Sequence, residues 1–256
     1  MKITFFGTGT SQGVPVIGCK CNVCRSSDSR DKRLRASILI EICNKKILID
    51  AGPDFRQQLL RGGIADLNAI LLTHEHKDHT GGLDDVRALN YISGKPVEIY
   101  AEKRVLNSIR AEYPYAFADN PYPGAPEMNL NPLDDKTPFN VGDVEIIPIR
   151  AFHHRLPVLG FRIGGLVYLT DANKIEQSEM RKMYGCTVLV INALRKEAHL
   201  SHFTLSQALD VARESGAGQT YLTHISHQMG LHKDVEKELP DNVKLAYDCL
   251  TVEITK

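Results

Sequence analysis

Excess charge of either sign is missing from this chain. Lysine plus arginine number 31, and so do aspartate plus glutamate. Capture of long nucleic acid rests on neutralising many phosphates at once, so this balance argues against it. A local basic patch is still compatible with the composition. Long apolar runs are missing too. None approaches the roughly 20 residues that a membrane-crossing helix needs. The opening Lys2–Phe6 runs straight into GTGT, which is too short and too strand-like for a signal peptide. The expectation is a cytoplasmic protein with no membrane partner. No internal repeat and no linker divides the 256 residues, 43% of them hydrophobic. That length and composition lead us to expect one domain with a substantial core. Cysteine is scarce, at six. Cys43, Cys186 and Cys249 are isolated, whereas Cys19, Cys21 and Cys24 crowd together. In a reducing compartment such a cluster points to metal rather than to disulfides.

What is present centres on Ile70–His79, ILLTHEHKDH. Its apolar start has the character of a buried strand. His74, His76, Asp78 and His79 then fall within six positions. Imidazoles with a carboxylate are ligands for zinc, manganese or iron. Four such groups are too many for one catalytic ion that must keep an open position, so a two-metal site with ligands from elsewhere is expected. Other strand ends carry candidates. Asp50 closes a strand in IDAG, where it either orients the histidines or caps a turn. One of His153 and His154 follows the strand Val144–Ile149. Asp171 ends the strand Leu166–Thr170, and His224 ends Thr220–Thr223. His202 stands just ahead of a helix opened by Thr204 and Gln207, a T-x-x-Q capping box. A histidine beside the ligands but not needed for metal is a candidate general acid, and His199 is the less favoured choice. CKCNVC supplies three thiolates, one short of a closed zinc site. His227, three residues after His224, is the best fourth ligand, and a loop of free thiols is the alternative. GTGTSQGVP either cradles phosphate or is a tight turn. The segment 114–143, rich in proline and aromatics, is expected as a long loop. It is a candidate lid or subunit contact in a homodimer, the plain alternative being a surface excursion.

HEHKDH fits the HxHxDH signature of the metallo-β-lactamase superfamily. From GTGTSQGVP to THISHQ the chain resembles the superfamily's phosphodiesterase branch, close to the cyclic ribose-phosphate phosphodiesterases of the bacterial phosphonate pathway. The resemblance, with a strand and helix pattern that occurs twice, implies a four-layer α/β/β/α sandwich. It further implies that His74, His76 and His154 hold one divalent metal, manganese or zinc, while Asp78, His79 and His224 hold the other. His154 is preferred over His153 because it lies six residues before Gly160, the family's spacing. Asp171 would bridge the metals and Asp50 would orient the histidines from behind. His202 would serve as general acid, with Asp78 beside it in the catalytic machinery. Cys19, Cys21, Cys24 and His227 would bind a structural zinc. The implied reaction is hydrolysis of a small phosphodiester by water that the two cations activate. The metal motif alone also permits a thioesterase, a lactonase, an RNA-processing nuclease or a non-catalytic metal-binding regulator.

Overall fold

Alternation of apolar side chains within each strand builds two β-sheets that share one core. The computed structural model describes residues 1–255. The first sheet has seven strands, in the order Thr251–Glu253, Lys2–Gly7, Ser37–Ile42, Lys45–Ile49, Ala69–Leu71, Val97–Glu102 and Met128–Leu133. The last four run parallel. The second sheet runs Lys174–Ile175, Val144–His153, Leu156–Ile163, Leu166–Leu169, Val188–Asn192, Gln219–Thr223 and Val243–Leu245. Phe139–Val141 adds to it by pairing with Val144–His153. Here too the last four strands of the order are parallel.

Strand side chains point alternately to opposite faces, and the packing follows that period. Ile38, Ile40, Ile47, Ile49, Val188 and Val190 meet between the sheets, all but Val188 wholly buried. Leu39, Leu48 and Ile70 face outward onto helices Phe55–Gly62, Arg87–Ser93 and Lys103–Glu112. Leu189 and Ile191 face outward onto helices Gln177–Met183 and Leu205–Ser215. The expected α/β/β/α layering is therefore present. Each fully buried Leu or Ile contributes about 1.5–3 kcal/mol relative to exposure. A charge at Ile47 would remove that contribution and leave an ion unpaired in the core.

Helix Leu205–Ser215 starts on the expected capping box. Gln207 N donates to Thr204 Oγ1 and Thr204 N donates to Gln207 Oε1, at 3.3 and 2.9 Å. Two expectations change. The segment 114–143 is not one loop: Met128–Leu133 completes the first sheet's edge and Phe139–Val141 pairs with the second sheet. The strand expected as Val144–Ile149 runs on to His153 and pairs with a full strand, Leu156–Ile163. No helix among the described residues is long and apolar enough to cross a membrane.

Candidate metal centre

The carboxyl ends of the parallel strands converge on one edge of the sandwich, the usual place for a site in such sheets. Ile49 leads to Asp50, Leu71 to His74, Leu169 to Asp171, and Thr223 to His224. Asp50, Asp171 and His224 have φ of 64°, 53° and 54°. Left-handed backbone is uncommon for non-glycine residues and costs on the order of 1–2 kcal/mol. Three of the seven non-glycine examples fall on these strand ends, where the chain must turn sharply to aim a side chain inward.

One group contains Asp78, His79, Asp171 and His224, whose candidate ligand atoms all lie within 4.8 Å of one another. Asp171 Oδ2 is 3.0 Å from His79 Nε2 and 3.1 Å from His224 Nε2. Asp78 Oδ2 is 3.2 Å from His79 Nε2 and 3.6 Å from His224 Nε2. A second group is three imidazoles. The His74 ring lies 4.5 Å from His76 and 5.8 Å from His153, and His76 lies 5.2 Å from His153. Asp171 adjoins both groups, since His153, Asp171 and His202 also bring ligand atoms within 4.8 Å.

His153 therefore occupies the position expected for His154. In the hairpin His153 pairs with Leu156, so His154 lies in the two-residue turn. Its φ is 58°, its side chain is exposed, and its backbone N–H donates to Asn173 Oδ1 at 2.8 Å. The spacing to Gly160 misleads by one residue. Alternation along Ile149, Ala151 and His153 is the signal that places His153 beside His74 and His76.

The imidazoles are oriented from behind. His79 Nδ1 donates to Asp50 Oδ2 at 2.7 Å. Asp50 also accepts from Thr73 N and Thr73 Oγ1 at 2.9 and 3.1 Å. His153 Nδ1 donates to the Ser201 carbonyl at 2.9 Å. Each bond fixes a tautomer whose Nε2 lone pair is free for a cation. Two supports escaped the sequence reading: Thr73, and Asn192, which holds both Ala172 N and Ala172 O beside Asp171 at 2.9 and 3.0 Å. An asparagine ending the apolar strand VLVIN was the available signal for the latter.

Burial opposes charge on His79, but the carboxylates of Asp50, Asp171 and Asp78 outweigh it and lift its pKa well above the ordinary value. Burial alone would raise Asp171, yet His224 and His79 hold it well below the carboxylate range. Burial, reinforced by His79, pushes His74 well down, toward the neutral imidazole that binds metal. Buried nitrogens without a hydrogen-bond partner include His74 Nε2, His79 Nε2 and both nitrogens of His224. Such atoms cost about 1–3 kcal/mol each if nothing satisfies them. Their convergence with two carboxylates fits divalent cations.

His202 Nε2 stands 2.9 Å from Asp171 Oδ1, and His202 Nδ1 lies 3.1 Å from His199 Nδ1. The sulfurs of Cys19 and Cys21 each lie 3.4 Å from His227 Nδ1. With Cys24 these four ligand atoms also fall within 4.8 Å, the donor set of a structural zinc. The glycine-rich turn binds this region to the rest. Thr10 N donates to Ile225 O and Gly9 N to Leu34 O, at 3.2 and 2.8 Å. Gly13 N donates to Thr10 O. With these N–H groups engaged, the segment acts as a turn.

Residues 45–225 match the family described as the beta-lactamase superfamily domain. This chain belongs to the metallo-β-lactamase superfamily. A crystal structure of a diphosphatase from the PhnP family superposes with a TM-score of 0.92 and 36% identity. The match covers 99% of this chain and 98% of that one, which places this superfamily member in the PhnP-type branch. An octanoyltransferase of Porphyromonas gingivalis is 45% identical over 252 residues, 98% of this chain and 51% of that protein. The chain thus spans about half the length of this curated relative. Zinc-bound PqqB of Methylobacterium extorquens superposes with a TM-score of 0.78 at 18% identity, covering 99% of this chain and all of that one. At that identity the likeness bears on the fold alone. The chain has the metallo-β-lactamase fold, with side chains arranged to bind divalent metal.

Proposed function

We propose that this protein is a hydrolase, namely a phosphodiesterase with two catalytic divalent metals, manganese or zinc, acting on a small phosphodiester such as a cyclic ribose phosphate or nucleotide. His74, His76 and His153 would hold one ion, and Asp78, His79 and His224 the other, with Asp171 shared. Once bound, the cations supply charge that lowers the pKa of water toward neutrality and offsets negative charge building on a phosphoryl oxygen. The observation that carries this reading is the position of Asp171, whose carboxylate touches His79 and His224 and adjoins His153 of the three-imidazole group. A shared carboxylate suits a pair of hard cations.

The protein's own groups do the rest. Asp50 keeps His79 in the tautomer that presents Nε2. His202 is held beside Asp171 by its neighbour, since Phe203 N donates to Ala172 O at 2.8 Å and Phe203 O accepts from Leu194 N. From there the imidazole can give a proton to the departing alkoxide. Cys19, Cys21, Cys24 and His227 would bind a structural zinc that fastens the polar loop to the segment after His224. The site would lie within a single domain whose partner is a small molecule.

A second reading, cleavage of a phosphoanhydride, is favoured by the likeness to a diphosphatase. The acyl-transfer name of the Porphyromonas gingivalis relative describes a protein about half of which lies outside the match, so that activity is not carried over. The test is a substrate panel with added manganese or zinc: bis-p-nitrophenyl phosphate, a cyclic ribose phosphate, a nucleotide diphosphate sugar, a thioester and a lactone. Turnover of the phosphodiesters above all others supports the proposal. Preferential hydrolysis of the thioester or the lactone would overturn it.

A further inference from the structure

We infer that Arg104 is a positioning residue for one of the two catalytic metals, a role that rests on the metal-site reading above. His74 and His76 come from the first sheet, whereas His153 comes from a hairpin of the second. Their imidazoles must be matched to within a few tenths of an ångström for one ion to bind all three. Arg104, at the second position of helix Lys103–Glu112, reaches across that division. Its Nη1 pairs with Glu75, the residue between His74 and His76. Its Nη2 donates to the carbonyl of Pro157, in the strand that pairs with the end of the hairpin carrying His153, at 2.7 Å. The same nitrogen is 3.5 Å from Glu102 Oε2. Glu102 in turn accepts from Arg150 Nη1 at 2.9 Å, and Arg150 lies on the strand that ends in His153.

The guanidinium is suited to this task because it presents several donors in a fixed plane, so one side chain can serve two loops at once. The backbone offers a second tie, in which Leu159 N donates to Thr73 O at 3.0 Å. That bond sets the spacing of the sheets near His74. Arg104 sets the loop beyond it, where Glu75 and His76 have left the sheet. With three acceptors around it, Arg104 is already engaged and is not offered to substrate. Its effect passes through the ligands.

The test is a calorimetric titration of the zinc-containing protein with manganese, which disfavours thiolates and so reports on the His and Asp ligands. Wild type should take up two manganese ions. Arg104→Gln should bind one of them about 10–100-fold more weakly, the usual effect of losing a group that orients ligands from behind. The other ion and the zinc content should be unchanged. Glu75→Gln should give the same loss, and the double variant should be no worse than either single one, because either change breaks the same bridge from Glu75 through Arg104 to Pro157. Unaltered manganese affinities in Arg104→Gln would overturn the inference. So would additive losses in the double variant, or loss of zinc and both manganese ions together with the fold. Failure of wild type to bind a second manganese would instead contradict the two-metal reading itself.

Discussion

His202 Nε2 lies 2.9 Å from Asp171 Oδ1, so the histidine expected to handle protons touches the carboxylate expected to join two cations. That contact allows two roles, acid or ligand, with different consequences. As an acid, His202→Ala should lower turnover about 10²–10⁴-fold while both catalytic metals are retained. Steady-state kinetics beside elemental analysis of the same sample separates the roles, since loss of a metal in the variant would make His202 a ligand.

Asp50 is wholly buried and accepts from His79 and Thr73. Asp50→Asn keeps the volume but offers an NH2 where His79 needs an acceptor. Metal affinity at the group of Asp78, His79 and His224 should fall about 10–100-fold. Competition with a chelator measures it, and an unchanged affinity would remove Asp50 from the site.

The architecture was legible because its causes are local. Ile38–Ile40 and Ile47–Ile49 alternate between two apolar faces, and Thr204 with Gln207 marks a helix start. The metal-binding strand ends were legible because histidine and aspartate cluster there without another purpose. Two things were not. Leu156–Ile163 includes Pro157 and Gly160, both of which weaken a strand signal. Only its pairing with Val144–His153 makes it a strand, and that pairing decides between His153 and His154. Pro132 and Pro138 likewise disguised the strands of the 114–143 segment. Met128–Leu133 takes its place at a sheet edge, where proline is tolerated.

The cysteine site should stabilise the fold while contributing nothing to turnover directly. Cys21→Ser should lose zinc and lower the Tm, with the catalytic metals still able to load. The backbone N–H of Cys24, and then His227, lower the Cys21 pKa to about 6. A thiol depressed in the folded state contributes stability at high pH that is lost as pH falls through the depressed value. Zinc affinity, followed by competition with a chelator, should therefore weaken as pH falls below about 6, where protons compete for the thiolate. Full zinc retention in Cys21→Ser would count against the site.

Gly52 lies against the helical turn Lys77–Thr80 that carries Asp78 and His79. A Cβ there would stand 2.0 Å from the Asp78 carbonyl, so only glycine allows the approach. Gly52→Ala should displace the backbone that carries Asp78, lowering both Tm and metal affinity. Wild-type melting together with wild-type metal content would show that the loop yields freely.

His232 reports on a buried network with Arg33 and Asp31. Arg33 Nη2 donates to His232 Nδ1 at 3.2 Å, so that nitrogen must stay unprotonated. Burial, then Arg33, push the His232 pKa down to about 4. The unfolded chain takes up this proton nearer pH 6.5, so stability is full above that pH and is lost as pH falls toward 4. The whole effect is at most about 3 kcal/mol. Urea unfolding at pH 7 and pH 5 should show a smaller acid loss in His232→Gln than in wild type. Equal losses would assign the acid sensitivity elsewhere.

The most direct measurement is metal content taken together with hydrolysis of bis-p-nitrophenyl phosphate on one preparation. The expected result is two divalent ions at the His and Asp groups beside one zinc on the cysteines, with activity lost on chelation and restored by manganese or zinc. Folded, active protein holding no metal at Asp171 and its neighbours would contradict a metal-dependent phosphodiesterase outright.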